Sequence, residues 1–408
     1  MVDSDVKPKR RHEGSEWREL AANGSFQRYW FGATMGALGF AMLGLPLELY
    51  ALDSTGSAQS AAAIVSCIAV SQLVCAPLAG WLADLFPRKQ VLLACEIGRA
   101  CVCFVVVVIV AGSGPLWSLY LCCVVFGIVQ SAGAPARAVM LRDLVSERTL
   151  FNALRQDEVR LNIARIGAPP LGGALYALGA GWVFVACLVG FITSALAISS
   201  IRVAEHRRLP RCEAAGGEES IWGMARNASG VLLGVACIAA SSASAGTLVV
   251  VTLRAAGGGS AQVGSVLACE AVGGIVGALV LRKAIVSRLG VCVGVSLAAV
   301  LVCCVLFGVV QSWWAAAVLL IVSGLASAIT GIALDSALFS KVGAAVRGRA
   351  ISSTFVLIGL GGVSGRLAMG TSLDHFATPV AVALVAGGIG TIGVLSLLLG
   401  VLVRSEVA

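Results

Sequence analysis

Three carboxylates lie inside apolar stretches of about twenty residues. Glu270 falls near the middle of one stretch, Glu48 lies toward the end of another just after Pro46, and Asp335 lies near the end of a third. Apolar surroundings disfavour the charged form of a carboxyl group, so such a group can bind a proton and release it when its environment changes. The three residues are therefore candidates for proton coupling or for substrate binding.

A fourth carboxylate has a partner close by in the sequence. Glu96 and Arg99 are three residues apart, which places them on one face of a helix. This spacing predicts an ion pair with a structural role. All three histidines, His12, His206 and His375, fall outside the apolar stretches, so we expect no buried histidine relay.

A run of glycines and prolines interrupts the fifth apolar stretch. Prolines remove backbone hydrogen bonds, and lipid offers no water to replace them, so such a run must pack against protein. We expect a bend at the contact between two halves of the chain, next to a central cavity. A packing kink without a role in transport is the alternative. The residues concerned are Gly167, Pro169, Pro170, Gly172 and Gly173.

The composition shows what kind of chain positions these residues. Of 408 residues, 58% are hydrophobic and 12% are charged, against roughly 45–50% and 25% in soluble domains. These values exclude soluble, disordered, collagen-like and nucleic-acid-binding proteins, and they predict a multi-pass protein of the cytoplasmic membrane. Most of the 14 cysteines lie in apolar runs, where they act as small hydrophobic residues. We expect neither disulfides nor a metal site.

Twelve apolar segments are long enough to cross a bilayer as helices. The sequence therefore predicts an all-α membrane protein with twelve transmembrane helices. The segments are 28–51, 59–82, 91–111, 116–136, 155–178, 182–201, 229–252, 261–281, 290–310, 313–336, 350–370 and 379–403.

The basic residues predict how the chain is oriented. They cluster before the first segment and in every second connection, whereas the alternate connections hold only Arg254. The positive-inside rule then places both termini in the cytoplasm. The predicted organisation is a cytoplasmic tail (1–25), a six-helix bundle (26–201), a polar cytoplasmic linker (202–226) and a second six-helix bundle (227–404). Two six-helix halves are typical of transporters that rock around a central site.

The turn after the second segment has a motif that we recognise. With two six-helix halves, it resembles the major facilitator superfamily, whose pattern here is Gly-x-x-x-Asp followed by Arg-Lys. Gly80, Asp84, Arg88 and Lys89 match it, whereas Leu85 replaces a basic residue. The resemblance implies two rocking bundles.

The resemblance assigns Asp84 to a gate near the start of the eleventh helix, around residue 350. There its carboxylate would meet the partly positive helix N-terminus and hold the halves together on the cytoplasmic side. Capping of the third helix is the alternative. Arg88 and Lys89 would orient Asp84 or only obey the positive-inside rule.

Two further features narrow the resemblance to the enterobactin-exporter and macrolide-efflux branch. Pro135 and Arg137 stand near the end of the fourth segment, and Pro169–Gly173 carries the helix-five motif, with Ala168 in place of its first glycine. In the superfamily this motif is associated with antiport. The resembling branch also has an acidic residue and an arginine at the spacing of Glu96 and Arg99.

The expected function is export of a small amphipathic organic molecule, such as a natural product, siderophore or drug, by alternating access and proton antiport. The partners would be this substrate, protons and the lipid bilayer, without nucleic acid, and we expect a monomer. Uptake or uniport by the same fold is an alternative, as is a membrane sensor or assembly protein. The chain lacks a phosphate-binding G-x-x-x-x-G-K-S/T loop, so we expect no ATP, no cofactor and no enzymatic activity.

Overall fold

The computed structural model describes residues 18–146, 148–201, 218–280, 289–341 and 344–405. Within these ranges, the side chains of 79–84, 218–229, 337–341, 344–353, 397–405 and several single positions are outside the description. The tail before residue 18 and Cys212 of the predicted linker also lie outside the described residues.

The first group of six long helices covers the N-terminal half of the chain. Asn23 caps the first helix, since its side chain accepts a hydrogen bond from the backbone N–H of Phe26. The helices are α1 (Gly24–Thr55), α2 (Ala58–Leu85), α3 (Arg88–Ala111), α4 (Leu116–Leu144), α5 (Leu150–Leu178) and α6 (Ala180–Ser199).

The second group of six long helices follows in the C-terminal half. They are α7 (Glu218–Ala255), α8 (Ser260–Val280), α9 (Leu289–Val310), α10 (Trp313–Lys341), α11 (Ala344–His375) and α12 (Thr378–Ser405). Because α7 begins at Glu218, residues 218–226 of the predicted linker are helical and continuous with α7. The sequence pattern assigns these residues to the polar linker.

The all-α architecture with twelve long helices is confirmed for the described part of the chain. Eleven of these helices are long and apolar enough to cross a membrane. Helix α5 is not among them, because its first half is rich in charged residues and its second half contains Pro169 and Pro170. It is nevertheless packed against α1, α6 and α8.

Short connections join α1 to α2, α3 to α4 and each later pair, so these turns share one face, here called the distal face. The α2–α3 and α4–α5 connections lie toward the opposite face, here called the terminal face. Most packing is within a group, for example α1 with α6 and α7 with α11. The two groups meet mainly where α2 packs on α11 and where α5 packs on α8.

Candidate functional site

Glu48 is a buried carboxylate of α1, about 10 Å along the helix from its distal end at Thr55. Its side chain is 7% exposed, and its Oε1 atom has no hydrogen-bond partner. Its neighbours Leu45 and Leu49 belong to an apolar cluster that also contains residues of α7, α8 and α11. Glu48 therefore lies where the two groups of helices are sealed together by apolar side chains.

Glu270 lies on α8, about 15 Å from the distal start of that helix at Ser260. Its position depends on how closely α8 packs on α10. A Cβ atom on Gly324 would collide with the backbone carbonyl of Glu270, and a Cβ atom on Gly273 would collide with the carbonyl of Ile321. Only glycine allows this approach, so the two glycines fix where Glu270 stands.

Arg366 of α11 brings the two carboxylates into one electrostatic cluster. Its guanidinium acts on both Glu48 and Glu270, and it lies about 14 Å from the distal end of α11. The Thr247 side chain of α7 also lies beside Glu48. Because Glu48 belongs to the first group and the other three residues belong to the second, this cluster joins the two halves.

An ion pair closes the distal face above this cluster. Asp53 of α1 accepts two hydrogen bonds from Arg254 of α7, at 2.9 Å from Nε and 2.8 Å from Nη2. The hydroxyl of Tyr176 on α5 lies 3.0 Å from the same carboxylate. Such a bidentate arrangement is stronger and better oriented than a single contact. Asp53 is thus held from both halves of the protein.

Asp374 forms a second connection between the halves at the same face. It lies one residue before the end of α11, and its carboxylate accepts hydrogen bonds from the N–H groups of Ala58 and Gln59 and from the hydroxyl of Ser57. A helix N-terminus has unpaired N–H groups and partial positive charge. Asp374 therefore caps α2 from the opposite half of the chain.

The turn between α1 and α2 presents these groups to Asp374. Gly56 adopts a left-handed conformation with φ of 68°, and its N–H donates to the carbonyl of Leu52. Glycine tolerates this conformation, which ends α1 and lets α2 begin two residues later. The N-terminus of α2 is thereby placed against α11.

The predicted helix-five run lies where α5 meets α8. A Cβ atom on Gly173 would collide with the carbonyl of Ser260, and one on Gly264 would collide with the carbonyl of Pro169. A Cβ atom on Gly172 would instead lie 3.3 Å from the carbonyl oxygen of Met42 in α1. The backbone around the prolines is thus packed against protein on two sides.

The Glu96–Arg99 pair lies inside the first group of helices, and Arg137 joins it. Oε1 of Glu96 accepts hydrogen bonds from Arg99 and, at 3.1 Å, from Arg137. The Glu96 and Arg99 side chains are fully buried, and Arg99 stacks over the ring of Phe191 at 5.3 Å. One carboxylate therefore binds two guanidinium groups, and the trio carries one net positive charge.

Arg88 and Lys89 bind within the first group of helices. Arg88 forms an ion pair of 2.6 Å with Asp143 at the end of α4. Lys89 donates to the carbonyls of Ser199 and Ile201 at the end of α6. These contacts join the start of α3 to two neighbouring helices.

Four other predicted site residues fall on helices, but their side chains lie outside the described part of the structure. They are Gly80 and Asp84 in α2, Pro135 in α4 and Asp335 in α10. The residues around 350 that Asp84 was expected to meet are outside it as well. The gate predicted at that end stays a prediction.

Sequence reasoning did not identify the distal contacts of Asp53, Tyr176, Arg254 and Asp374. One feature of the sequence pointed to these contacts. Arg254 is the single basic residue in the alternate connections between the predicted segments, which otherwise contain none. Its partner Asp53 is 201 positions away, and nothing in the local sequence joins the two.

Twelve long helices in two groups, with buried carboxylates where the groups meet, define a membrane transporter architecture. The sequence model of the Major Facilitator Superfamily matches residues 29–365. The chain belongs to this superfamily, whose members are transporters and not enzymes.

Comparison with individual proteins gives more remote similarity. Over 131 residues the chain is 30% identical to an uncharacterized MFS-type transporter, YfiS, of Bacillus subtilis (strain 168), which is 32% of this chain and 30% of that relative. The chain thus matches less than a third of the relative's length. These comparisons do not single out the enterobactin-exporter and macrolide-efflux branch, which stays a prediction.

Solved structures with the same fold include two transporters. The nucleoside transporter NupG has a TM-score of 0.71 at 13% identity, covering 92% of this chain and 98% of that one. A bacterial homolog of the human lysosomal transporter Spinster, in an inward-facing and unoccupied conformation, has a TM-score of 0.66 at 14% identity, covering 97% and 96%. At these identities the likeness concerns the fold alone.

Proposed function

We propose that this protein exports a small amphipathic organic molecule across the cytoplasmic membrane in exchange for protons. The single observation that carries the proposal is the cluster of Glu48, Glu270 and Arg366 between the two groups of helices. Two carboxylates share one guanidinium, so one negative charge is left to be compensated by a proton or by a ligand.

The proposed cycle is a rocking of residues 26–201 against 227–404 around this cluster. The distal contacts support the closed half of the cycle. Asp53–Arg254 and the Asp374 cap join the halves above Glu48, while α2 and α11 stay in contact as far as Leu73 and Gly359. With the basic terminal face in the cytoplasm, this conformation is closed to the exterior.

In the proposed cycle, the two conformations differ in which contacts between the halves are formed. Opening the distal face requires Asp53 and Asp374 to give up partners on the opposite half. Closing the terminal face would form a contact between Asp84 and the start of α11, as the family motif implies. The carboxylate cluster would be exposed to one side at a time, which allows a proton to be taken up outside and released inside.

The experiment uses everted membrane vesicles that contain the full chain. Respiration acidifies their lumen, and acridine orange reports the pH gradient through fluorescence quenching. We expect members of a panel of amphipathic natural products and drugs to reverse the quenching, because each exchange releases a proton from the lumen. Glu48→Gln and Glu270→Gln should abolish the response.

Glu19→Gln serves as a matched control, because Glu19 is exposed on the terminal face and its amide can still accept from Ser146. It should respond like the natural protein. Uptake of a panel compound at an unchanged rate after an ionophore collapses the pH gradient would contradict proton exchange and would favour uniport by the same fold.

A further inference from the structure

Negative charges outnumber positive charges where the two groups of helices meet. Three charged groups of the described residues lie at this contact, from below the distal contacts of Asp53 and Asp374 to the level of Glu270. They are the carboxylates Glu48 and Glu270 and the guanidinium of Arg366. With both carboxylates ionised, the cluster carries one net negative charge. A bound anion would have to approach two carboxylates with only one shared guanidinium in its favour.

Two polar atoms of this cluster are buried without a partner. Oε1 of Glu48 and Oγ1 of Thr247 complete no hydrogen bond, although their side chains are only 7% and 1% exposed. A buried carboxylate oxygen without a partner is costly unless it is protonated or meets a positive charge. Thr247 lies beside Glu48 but belongs to the other group of helices, so a ligand that bonds to both side chains would contact both halves.

The walls of the cluster favour a large cation over a metal ion. Leu45 and Leu49 flank Glu48, and Val266 and Met369 belong to the same apolar cluster. No set of three potential metal ligands from histidine, cysteine, aspartate or glutamate occurs among the described residues. Small hard cations require about six oxygen ligands, whereas an organic cation with apolar substituents suits apolar walls and one free carboxylate.

We propose that the molecule carried is a monovalent organic cation with an apolar body, and that it takes the place of one proton at the Glu48–Glu270 pair. This inference rests on the proposed proton exchange. In the exchange a protonated carboxyl group loses its proton to water, and the carboxylate left behind pairs with the cation. The net charge of the cluster stays the same in both states.

The experiment compares two ions of almost the same size and shape on the full chain purified in detergent. Tetraphenylphosphonium is a cation, and tetraphenylborate is its anionic counterpart. We expect the cation to bind with release of about one proton, and its apparent affinity to fall about tenfold for each unit of pH below neutrality. Tetraphenylborate should not bind above the level of detergent alone.

Variants locate the exchange. Glu48→Gln and Glu270→Gln should each weaken binding of the cation and remove proton release, while Glu19→Gln should change neither. The comparison of the two ions on the natural protein needs no variant, so a folding defect cannot decide the result.

Three outcomes would overturn the inference: equal or tighter binding of tetraphenylborate, binding of the cation without proton release, and binding of neither ion. The vesicle assay separates these from a failure of the proposed function. If a neutral compound still dissipates the pH gradient there, proton-coupled export stands and only the cationic nature of the substrate is lost.

Discussion

The carboxylate of Asp374 at the end of α11 accepts a hydrogen bond of 2.6 Å from the backbone N–H of Ala58 at the start of α2. A carboxylate at the C-terminal end of its own helix is electrostatically unfavourable there. Capping of α2 across the contact between the halves offsets this cost. Asp374 therefore keeps this favourable contact while the distal face is closed and loses it when the face opens.

Replacing Asp374 with alanine should therefore open the distal face more often. Loss of an N-cap costs about 0.5–2 kcal/mol, and about 1.4 kcal/mol changes a population tenfold. Hydrogen–deuterium exchange of peptides from the α1–α2 and α11–α12 turns should speed up by several-fold. Asp374→Asn keeps an acceptor of similar capping strength, so its exchange should stay near that of the natural protein. Unchanged exchange in Asp374→Ala would contradict a latch at this position.

The ion pair of Asp53 and Arg254 should contribute less than Asp374 to the free energy of closing the distal face, and its contribution should depend on salt. Its side chains are 32% and 31% exposed, and exposed pairs contribute about 0.2–1 kcal/mol. A double-mutant cycle with Asp53→Asn and Arg254→Gln, read from exchange at the distal turns, should give a coupling energy in that range. The coupling should shrink at about 1 M salt, where the screening length is about 3 Å.

A double variant in which the two charges are swapped provides the control for this ion pair. Asp53→Arg combined with Arg254→Asp should recover part of the closure that each single variant loses. Tyr176→Phe removes only the hydroxyl that contacts Asp53 and should have a minor effect. Strictly additive single variants would mean that the two residues do not act as a pair.

Much of the fold could be predicted, because lipid imposes a simple rule on the sequence. Apolar runs of helical length gave the twelve helices, and α5 was found although its charges and prolines make it less apolar than the rest. The polar stretch 202–226 was predicted as a linker, whereas residues 218–226 are helical and continuous with α7. Composition describes which solvent a segment meets, but it does not decide whether a polar segment continues a helix.

The site could be predicted only in part. Glu48 and Glu270 stood out because ionisable groups are costly within the bilayer. Their grouping with Arg366 and the capping of α2 by Asp374 depend on contacts between distant segments. Asp374 and Ala58 are separated by 316 positions, and a polar residue at a helix end looks like an ordinary surface residue in the sequence.

Glu96 should prove essential for stability and not for proton exchange. Glu96→Gln would leave Arg99 and Arg137 facing each other with no compensating charge, and breaking a buried pair costs about 3–5 kcal/mol. Thermal unfolding in detergent, followed by tryptophan fluorescence, should shift clearly to lower temperature. The control is Asp143→Asn, which breaks the more exposed pair with Arg88 and should cost under about 1 kcal/mol. Similar stabilities of the two variants would argue against this role for Glu96.

Two adjacent glycines of α8 offer a matched test of how Glu270 is positioned. A Cβ atom on Gly273 would collide with the carbonyl of Ile321, whereas one on Gly274 would meet its nearest neighbour, the carbonyl of Gly324, at 3.8 Å. Gly273→Ala should therefore force α8 away from α10, at a cost of about 1–3 kcal/mol, and should weaken the proposed proton exchange because Glu270 moves. Gly274→Ala should be tolerated. Thermal unfolding and the vesicle assay measure the two effects, and equal behaviour of the variants would mean that the close approach of α8 and α10 does not set the position of Glu270.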